Sequence, residues 1–416
     1  MTARPRARTR LVRTTASLFA LAVAVSGCAK DAPQTTLKPK GPRAEQINDL
    51  INPVFLVAGV VFVFILGGAL FVALKFRERD HDDVDAFPEQ IHGNFKMEIG
   101  WTIAPAVILA IVGVFTVVTI LDLSRKPGND AVQVEVYGQQ WWWEYRYDTN
   151  GDGIYDDIVT ANDLVVPAGR DISLHIKSRD VIHSWWAPAL NGKKDAVPGR
   201  DHPWAFQADK PGEYIGQCTE FCGLSHAEMR IKVVALTPAR FDKWTADQQK
   251  KFKNPTTAAA QSGWTQFVGQ CTTCHRITGM TDPSSADDPA DAAKSFTYPA
   301  TPNAKGNPQS AAKNQVAGVA PNLTHFMSRT MFAGGKFNLR KETPACRALG
   351  EDWARAPDGI KDCLNRTALE AWLRNPPAQK AMDPGEAPNT RSRGMPNFNL
   401  SEDQIDQLVA FLTTLT

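Results

Sequence analysis

Residues 218–229 concentrate soft metal ligands in one short stretch of the chain. Two thiols lie four positions apart, at Cys218 and Cys222, and are followed by His226 and Met229. Thiolate, imidazole and thioether ligands together favour copper, whereas zinc rarely recruits Met. A short-range disulfide or a structural zinc turn would employ the thiols, but neither would explain Met229 or a further His upstream, His183. The spacing therefore predicts a copper site.

A second redox motif, C-T-T-C-H, runs from Cys271 through Cys274 to His275. This motif is typical of covalent haem c attachment, with the His as the proximal iron ligand. A redox dithiol or half of a zinc site is the alternative, but the adjacent His and the lack of a second C-x-x-C argue against both. Met395, in R-G-M-P-N-F, is the candidate sixth ligand, and Met280 is too close to the motif to reach the opposite haem face. The remaining alternatives are Met327, Met331 and Met382.

Length and charge limit the class of protein. The 416 residues are enough for two or three domains, and the formal net charge is +2. Five arginines and no acidic residue lie in residues 1–27, so removing that segment changes the charge from +2 to −3. A slightly acidic chain gives no indication of a nucleic-acid partner.

The N-terminus has the pattern of an export signal. The arginines precede an apolar run at residues 18–25 and then S-G-C at Cys28, which predicts a secretory signal over 1–27. V-S-G-C resembles a bacterial lipobox, which would make Cys28 the lipidated first residue of the mature chain. Ordinary cleavage and retention as an anchor are the alternatives. Export places the other thiols in an oxidising compartment, where Cys346 and Cys363 are predicted to form a disulfide.

Two uncharged apolar segments, at 51–74 and 99–121, each exceed the roughly 20 residues that cross a bilayer. We expect a two-helix transmembrane hairpin over 45–125. With an exported N-terminus the loop between the spans is cytoplasmic, and basic residues there agree with the positive-inside bias. The residues after about 122 then lie outside. The basic residues are Lys75, Arg77, Arg79 and Lys96.

Alternating strands predict an antiparallel β-sandwich or barrel over 128–238, and a Greek key fits the pattern. The strand candidates are V-Q-V-E-V-Y-G, D-I-S-L-H-I-K-S and M-R-I-K-V-V-A. In Q-W-W-W-E-Y-R-Y, starting at Gln140, alternation puts Trp141, Trp143 and the two tyrosines on one face and Trp142 on the other. The following D-T-N-G-D-G starts like a calcium loop, but Val159 stands where the bidentate Glu is required, so an acidic hairpin turn is preferred.

The remainder of the chain predicts a linker or short helix over 239–260 and an all-α domain over 261–416. Residues 281–317 are rich in Ser, Asp, Pro and Ala and are interpreted as a loop insertion. Helical patterns return at A-L-E-A-W-L and at S-E-D-Q-I-D-Q-L-V-A-F-L, where Ser is a suitable N-cap. G-M-P and A-P-N-L resemble the haem loops of class I cytochromes c.

The copper motif resembles the dinuclear CuA centre of the cytochrome c oxidase subunit II family. The resemblance implies that Cys218 and Cys222 bridge two coppers, that His183 and His226 cap them, and that Met229 and the Glu220 carbonyl are weak axial ligands. It also implies a cupredoxin-like domain. The Glu220 carboxylate would bind magnesium or manganese at the contact with subunit I.

Two further segments carry the same resemblance. E-I-G-W-T-I-A-P-A, beginning at Glu98, is similar to the family segment whose Glu forms the mouth of a proton pathway into subunit I. A carboxylate that stabilises the helix N-terminus is the alternative, and the two roles are compatible. Trp141 aligns with the family's exposed electron-entry residue.

Together these features resemble subunit II of a cytochrome c oxidase with a fused cytochrome c domain. The resemblance implies subunits I and III as partners, a reductase or soluble cytochrome c as donor, and proton pumping coupled to oxygen reduction on subunit I. The protein would span a bacterial inner membrane with both redox domains on the outer face. A membrane-tethered electron carrier or copper-delivery protein is the alternative, against which Glu98 and Glu220 argue. Nitrous oxide reductase is excluded because it needs more histidines than the eight of this chain. A quinol oxidase subunit is excluded because the copper ligand set is intact.

Overall fold

The computed structural model of the chain describes residues 32–77, 92–272, 274–280, 320–382 and 394–416. The predicted signal segment with Cys28, Arg79 and most of the loop between the spans, and the predicted insertion at 281–317 lie outside these ranges.

Two long helices form the N-terminal part, α1 at Pro42–Lys75 and α2 at Phe95–Leu123. Both contain the predicted spans and extend beyond them. Their apolar side chains point away from the rest of the protein along most of their length, with Phe64 as much as 78% exposed. Such exposure suits a lipid environment, and both helices are long and apolar enough to cross a membrane.

The outer ends of the two helices are held to each other and to the domain that follows. Gln46 Nε2 donates to Asp122 Oδ2 at 2.8 Å, close to where α2 ends. Just before α1, the Lys40 amide donates to the Ala189 carbonyl at 2.7 Å. A side-chain hydrogen bond therefore joins the two helices, and a backbone hydrogen bond just before α1 attaches the hairpin to the β-domain.

A β-domain with two main sheets occupies residues 132–236. One sheet has the order β3-β2-β1-β5-β8, the other β4-β10-β9, and β6 pairs separately with β7. Contrary to the expected antiparallel pattern, β1 pairs with β5 and β4 with β10 in parallel. The chain leaves the first sheet after β3 and forms β4 in the second sheet. It then returns to the first sheet as β5, which runs in the same direction as β1. The strands are β1 Val132–Gln139, β2 Trp142–Asp148, β3 Ile158–Ala161, β4 Asp163–Pro167, β5 Ile172–Ser178, β6 His183–Trp185, β7 Lys194–Ala196, β8 His202–Phe206, β9 Gly212–Gln217 and β10 Arg230–Leu236.

The aromatic run on β2 supplies much of the core of this domain. Trp143, Tyr145 and Tyr147 are completely buried, as the shared face predicted. The Tyr147 hydroxyl donates to the Val165 carbonyl at 2.9 Å, which links the two sheets. After β2 the acidic turn is closed by its own side chains, because Asp148 accepts from the amides of Gly151 and Gly153.

The C-terminal domain, residues 258–416, is mainly helical. The segment predicted as linker contains helix α3, which packs on the β-domain with Trp244 and Tyr147 ring centroids 5.4 Å apart. The first helix of the domain begins at Ala258, three positions before the predicted boundary. The helices are α3 Pro238–Gln248, α4 Ala258–Gln270, α5 Pro344–Ala348, α6 Gly359–Cys363, α7 Arg366–Arg374, α8 Pro376–Gln379 and α9 Glu402–Leu412.

Helices α4 and α9 cross at close range in this domain. Gly263 lies against the Gln407 carbonyl, where any β-carbon would collide, so glycine permits the close crossing. Phe267 and Phe411 pack beside it at 5.3 Å between ring centroids. A two-residue pairing of β11 (Met331–Phe332) with β12 (Phe337–Asn338) is the exception to the predicted all-α content.

Candidate functional site

Residues 218–229, hereafter the copper-ligand loop, connect two neighbouring strands of the smaller sheet. Strands β9 and β10 pair antiparallel, with Gln217 opposite Arg230. The Cys218 amide then donates to the Met229 carbonyl at 2.9 Å and closes the loop at its base. The sheet therefore fixes both ends of a loop whose side chains are close together before any metal binds.

All the soft ligands predicted in this loop face one another. The sulfurs of Cys218 and Cys222 are 3.8 Å apart. Cys222 Sγ lies 3.5 Å from His226 Nδ1 and 3.9 Å from Met229 Sδ. Cys218 Sγ lies 3.3 Å from the Glu220 carbonyl oxygen. Two thiolates with an imidazole, a thioether and a carbonyl form a donor set that suits copper.

His183, from strand β6, completes the cluster from outside the loop. One of its ring nitrogens lies within 4.8 Å of both cysteine sulfurs. Its Nε2 is 2.8 Å from Asp180 Oδ1, whereas Nδ1 is buried and has no hydrogen-bond partner among the described residues. A carboxylate on one ring nitrogen orients a His so that the other can bind metal. The unpaired Nδ1 fits a metal ligand.

Protonation of the two loop thiols is strongly asymmetric. The hydrogen bond from Cys222, with a contribution from His183, outweighs burial and lowers the pKa of Cys218 to about 4. The adjacent negative sulfur and burial raise the pKa of Cys222. The close approach of the two sulfurs therefore favours one thiolate in the metal-free pair, and the thiolate is the form that binds metal.

Trp141 is buried, which corrects the expectation of an exposed electron-entry residue. Only 4% of its surface is accessible, because the C-terminal domain covers it. Its indole Nε1 donates to the Cys222 carbonyl at 2.9 Å, and Gln140 Nε2 donates to the same oxygen at 2.7 Å. Trp141 thus contacts the copper-ligand loop, but the C-terminal domain of the same chain covers it.

An apolar pocket lies between the β-domain and the C-terminal domain. Cys271, Cys274 and His275 line one part of it, and Trp141 and Trp142 line another. His275 Nδ1 is 2.8 Å from the carbonyl of Pro321, which belongs to the A-P-N-L motif. With Nδ1 donating to that carbonyl, Nε2 remains available for iron, and burial lowers the pKa of His275 so that the neutral ring is favoured. Aromatic and aliphatic side chains complete a lining that fits a haem, among them Phe267, Phe326, Leu369, Trp372 and Leu408.

Two methionines reach this pocket. Met395 lies in the lining, as predicted for the sixth iron ligand, and so does Met382. Met280, Met327 and Met331 are buried in the hydrophobic core but are not part of the lining. Two of the four methionines that the sequence analysis considered, Met382 and Met395, therefore line the pocket.

The other predicted residues lie away from this pocket. Glu98 is in the first turn of α2, one position after Met97, whose amide donates to the Asn94 side chain at 3.2 Å. This position agrees with a carboxylate that stabilises a helix N-terminus. The Glu220 side chain is partly exposed. Cys346 and Cys363 are joined by a disulfide between α5 and α6.

Two contacting residues were missed by the sequence analysis. Asp180, which orients His183, was detectable as a carboxylate three positions from a predicted metal ligand. Lys380 donates to the Trp141 carbonyl at 2.8 Å from a position 239 residues further along the chain, and no local pattern marks it.

Comparisons with known proteins agree with this arrangement. Residues 36–118 match the transmembrane domain of cytochrome c oxidase subunit II, and residues 152–236 match its periplasmic domain. Cytochrome c oxidase subunit 2 of Alkalihalophilus pseudofirmus is 29% identical over 95% of this chain and 94% of its own length.

Two further relatives match a smaller part of this chain. Cytochrome c oxidase subunit 2 of Bacillus sp. (strain PS3) is 31% identical over 64% of this chain and 76% of its own length. Quinol oxidase subunit 2 of Bacillus subtilis is 33% identical over 56% of this chain and 72% of its own length. The helical hairpin, the cupredoxin-like β-domain and these matches together place the chain in the cytochrome c oxidase subunit II family.

Proposed function

We propose that this chain is the electron inlet of a haem-copper oxidase and carries its own haem c. The observation that carries the proposal is the position of Trp141, which lines the pocket with the C-x-x-C-H motif and donates to a carbonyl of the copper-ligand loop. Bound haem and copper would supply reversible one-electron chemistry. The chain would thus accept electrons from a donor protein and deliver them towards the oxygen-reducing subunit.

The residues that would hold each group are distinct. Cys271 and Cys274 would bind the haem covalently, with His275 and Met395 on the iron. The six ligands of the copper pair would come from His183 and the copper-ligand loop. Because Asp180 and the strands β9 and β10 already fix these side chains, little rearrangement is required when charge changes at the site.

The remaining parts of the proposal concern the partners. Glu98 would accept protons at the entrance of a pathway into subunit I, and the Glu220 carboxylate would hold magnesium or manganese at that contact. Subunits I and III, lipid and a reductase or soluble cytochrome c complete the assembly. The redox domains would lie on the outer face of a bacterial inner membrane, where residues 1–27 would direct them and Cys28 would carry lipid.

Two alternatives predict different electron donors or partners. Family membership alone does not identify the donor, since one relative is named a quinol oxidase subunit. The complete set of soft ligands and the C-x-x-C-H motif favour a cytochrome c oxidase. A membrane-tethered carrier without an oxidase would use the same ligands, but would give no role to Glu98 or Glu220.

Purification from membranes in mild detergent tests the proposal. We expect the chain to copurify with a larger subunit that contains haem and copper, and to show a near-infrared copper band together with a haem c spectrum. Cys222→Ser should remove the copper band and keep the haem c, whereas Cys271→Ser with Cys274→Ser should do the opposite. A lone polypeptide without an oxidase partner, or a copper band that survives Cys222→Ser, would refute the assignment.

A further inference from the structure

Building on the proposed function, we infer that Lys380 is a positioning residue that holds the haem-binding pocket against the copper-ligand loop. Lys380 belongs to the C-terminal domain and follows helix α8. Only 3% of its surface is accessible, although lysine is rarely buried without a partner. Its surroundings therefore need a specific explanation.

The Lys380 ammonium is bound by backbone carbonyls from both domains. Nζ donates to Trp141 O at 2.8 Å and to Glu228 O at 3.4 Å on the β-domain, and to Ala333 O at 2.8 Å on its own domain. The three backbone acceptors equal the number of N–H groups on an ammonium, although burial lowers the pKa of Lys380 to about 7. Hydrogen bonds to a charged donor are stronger than neutral ones.

The carbonyl partners of Lys380 show which parts of the molecule it connects. Trp141 O belongs to the residue whose indole donates to Cys222 O, and Glu228 immediately precedes Met229 in the copper-ligand loop. Lys380 thus joins the loop and the aromatic residue beside it to the wall of the haem-binding pocket, which Lys380 itself lines.

The backbone around Lys380 is shaped for this approach. Gly334 has a φ of +73°, and a β-carbon there would collide with the Trp141 carbonyl and with Lys380 Nζ. Ser225 Oγ donates to the Ala381 carbonyl at 2.5 Å, which adds a contact from the copper-ligand loop to the next residue along. Two segments of the C-terminal domain, around 334 and around 380, therefore meet the β-domain at the same place.

Other contacts between the domains lie further from the copper-ligand loop. Asp163 Oδ2 accepts from the amide and the hydroxyl of Thr330, at 2.6 and 2.8 Å. Arg340 donates to Glu213 at 2.9 Å, and Arg355 to Asp247 at 3.0 Å. These pairs hold the domains together, so loss of Lys380 should change the geometry at Trp141 without separating the domains.

The test is the rate of electron transfer from haem c to the copper centre in the assembled oxidase, started by flash reduction of the haem. In Lys380→Met we expect this rate to fall severalfold, because loss of the carbonyl contacts shifts Trp141 relative to the wall of the haem-binding pocket. The haem c and copper spectra should stay unchanged. Lys380→Arg, which keeps the charge and several donors, should restore part of the rate.

Lys336→Met is the matched control. Lys336 Nζ pairs with Glu228 Oε1 at 3.2 Å across the same interface, but its side chain is 27% exposed and its bond is to the Glu228 carboxylate. The electron-transfer rate of Lys336→Met should stay within about twofold of the wild-type rate, since partly exposed ion pairs contribute little free energy. A Lys380→Met rate equal to that of the wild type, with both spectra intact, would overturn the inference.

Two outcomes separate this inference from the proposed function. If haem c never reduces copper in the wild-type oxidase, the proposed function fails and not merely the role of Lys380. If Lys380→Met does not assemble, Gly334→Ala decides, because its methyl group presses on both the Trp141 carbonyl and Lys380 Nζ and so disturbs the same contact while keeping the lysine side chain. A comparable loss of rate supports the inference, and an unchanged rate contradicts it.

Discussion

The indole nitrogen of Trp141 donates to the Cys222 carbonyl at 2.9 Å, and the same side chain lines the pocket that contains Cys271 and His275. One residue therefore contacts both candidate redox sites. The Trp141 side chain is covered by the domain that carries the haem motif. Under the proposed function, an external donor would therefore deliver electrons to the C-terminal domain and not to Trp141.

Trp141→Phe should slow electron transfer from haem c to copper severalfold while the copper band persists. The substitution keeps an aromatic ring but removes the donor to the Cys222 carbonyl. That oxygen keeps its bond from Gln140, so the loss in the free energy of unfolding should be only about 1 kcal/mol. Trp142→Phe, one position further along the same pocket wall, is the control and should leave the rate nearly unchanged. Equal effects of the two variants would contradict the role of Trp141.

Met395→Ala should abolish the absorption band typical of methionine-ligated haem c and make the haem high-spin. Met382→Ala, on the same pocket, should leave that band in place. Covalent attachment through Cys271 and Cys274 should survive in both variants, so haem content measures folding separately from ligation. The reverse pattern of band loss would assign the sixth ligand to Met382.

Glu144 should make the β-domain sensitive to acid. Its carboxylate is 1% exposed, and burial raises its pKa, but the Arg146 and Arg179 guanidinium groups outweigh burial and lower it to about 2. A folded-state pKa below the unfolded value of about 4.5 gives stability that is present above pH 4.5 and lost as the pH falls towards 2. A difference of this size corresponds to about 3 kcal/mol.

Glu144→Gln should therefore lower the thermal midpoint of the β-domain at pH 7, followed through the copper band, and flatten its decline between pH 5 and 2. Glu402→Gln is the control, because Glu402 makes a similar pair with Arg374 on an exposed surface. A Glu144→Gln variant that melts like the wild type at pH 7 would show that the arginines find other partners.

The disulfide should stabilise the C-terminal domain. Cys346 and Cys363 are separated by 17 positions, and closing a loop of this size removes about 3 kcal/mol of chain entropy from the unfolded state. Cys346→Ser combined with Cys363→Ser should shift the guanidinium midpoint of haem absorbance downwards and leave the haem content unchanged. An unaltered midpoint would mean that Trp353 and the ion pairs of this segment hold it without the bond.

The copper site was predictable because most of its ligands are contiguous in sequence. A loop of 12 residues whose ends are joined by paired strands must bring Cys218, Cys222 and Met229 together, and His183 is the one ligand from a distant strand. Strands β1, β5 and β10 were predictable from alternation, and the two spans from the length of their apolar runs.

The relation between the domains was not predictable. Lys380 and Trp141 are 239 positions apart, and their bond uses a backbone carbonyl that every residue has. The sequence marks Trp141 through its aromatic run, but nothing in it marks Lys380 as the partner. The burial of Trp141 follows from that docking, so a residue expected on the surface from family resemblance lies inside. The parallel pairings also depend on the order of strands between two sheets, which alternation does not report.

The six described cysteines are found in two different redox states, one pair in a disulfide and four as free thiols. Cys346 and Cys363 are joined in a disulfide, whereas the four free thiols would have to stay reduced until the proposed copper and haem are inserted. The sulfurs of Cys218 and Cys222 already lie 3.8 Å apart, so the same oxidant that joins the first pair would threaten the second. Copper loading at this pair would therefore have to precede its oxidation, or follow reduction of a Cys218–Cys222 disulfide by thiol–disulfide exchange.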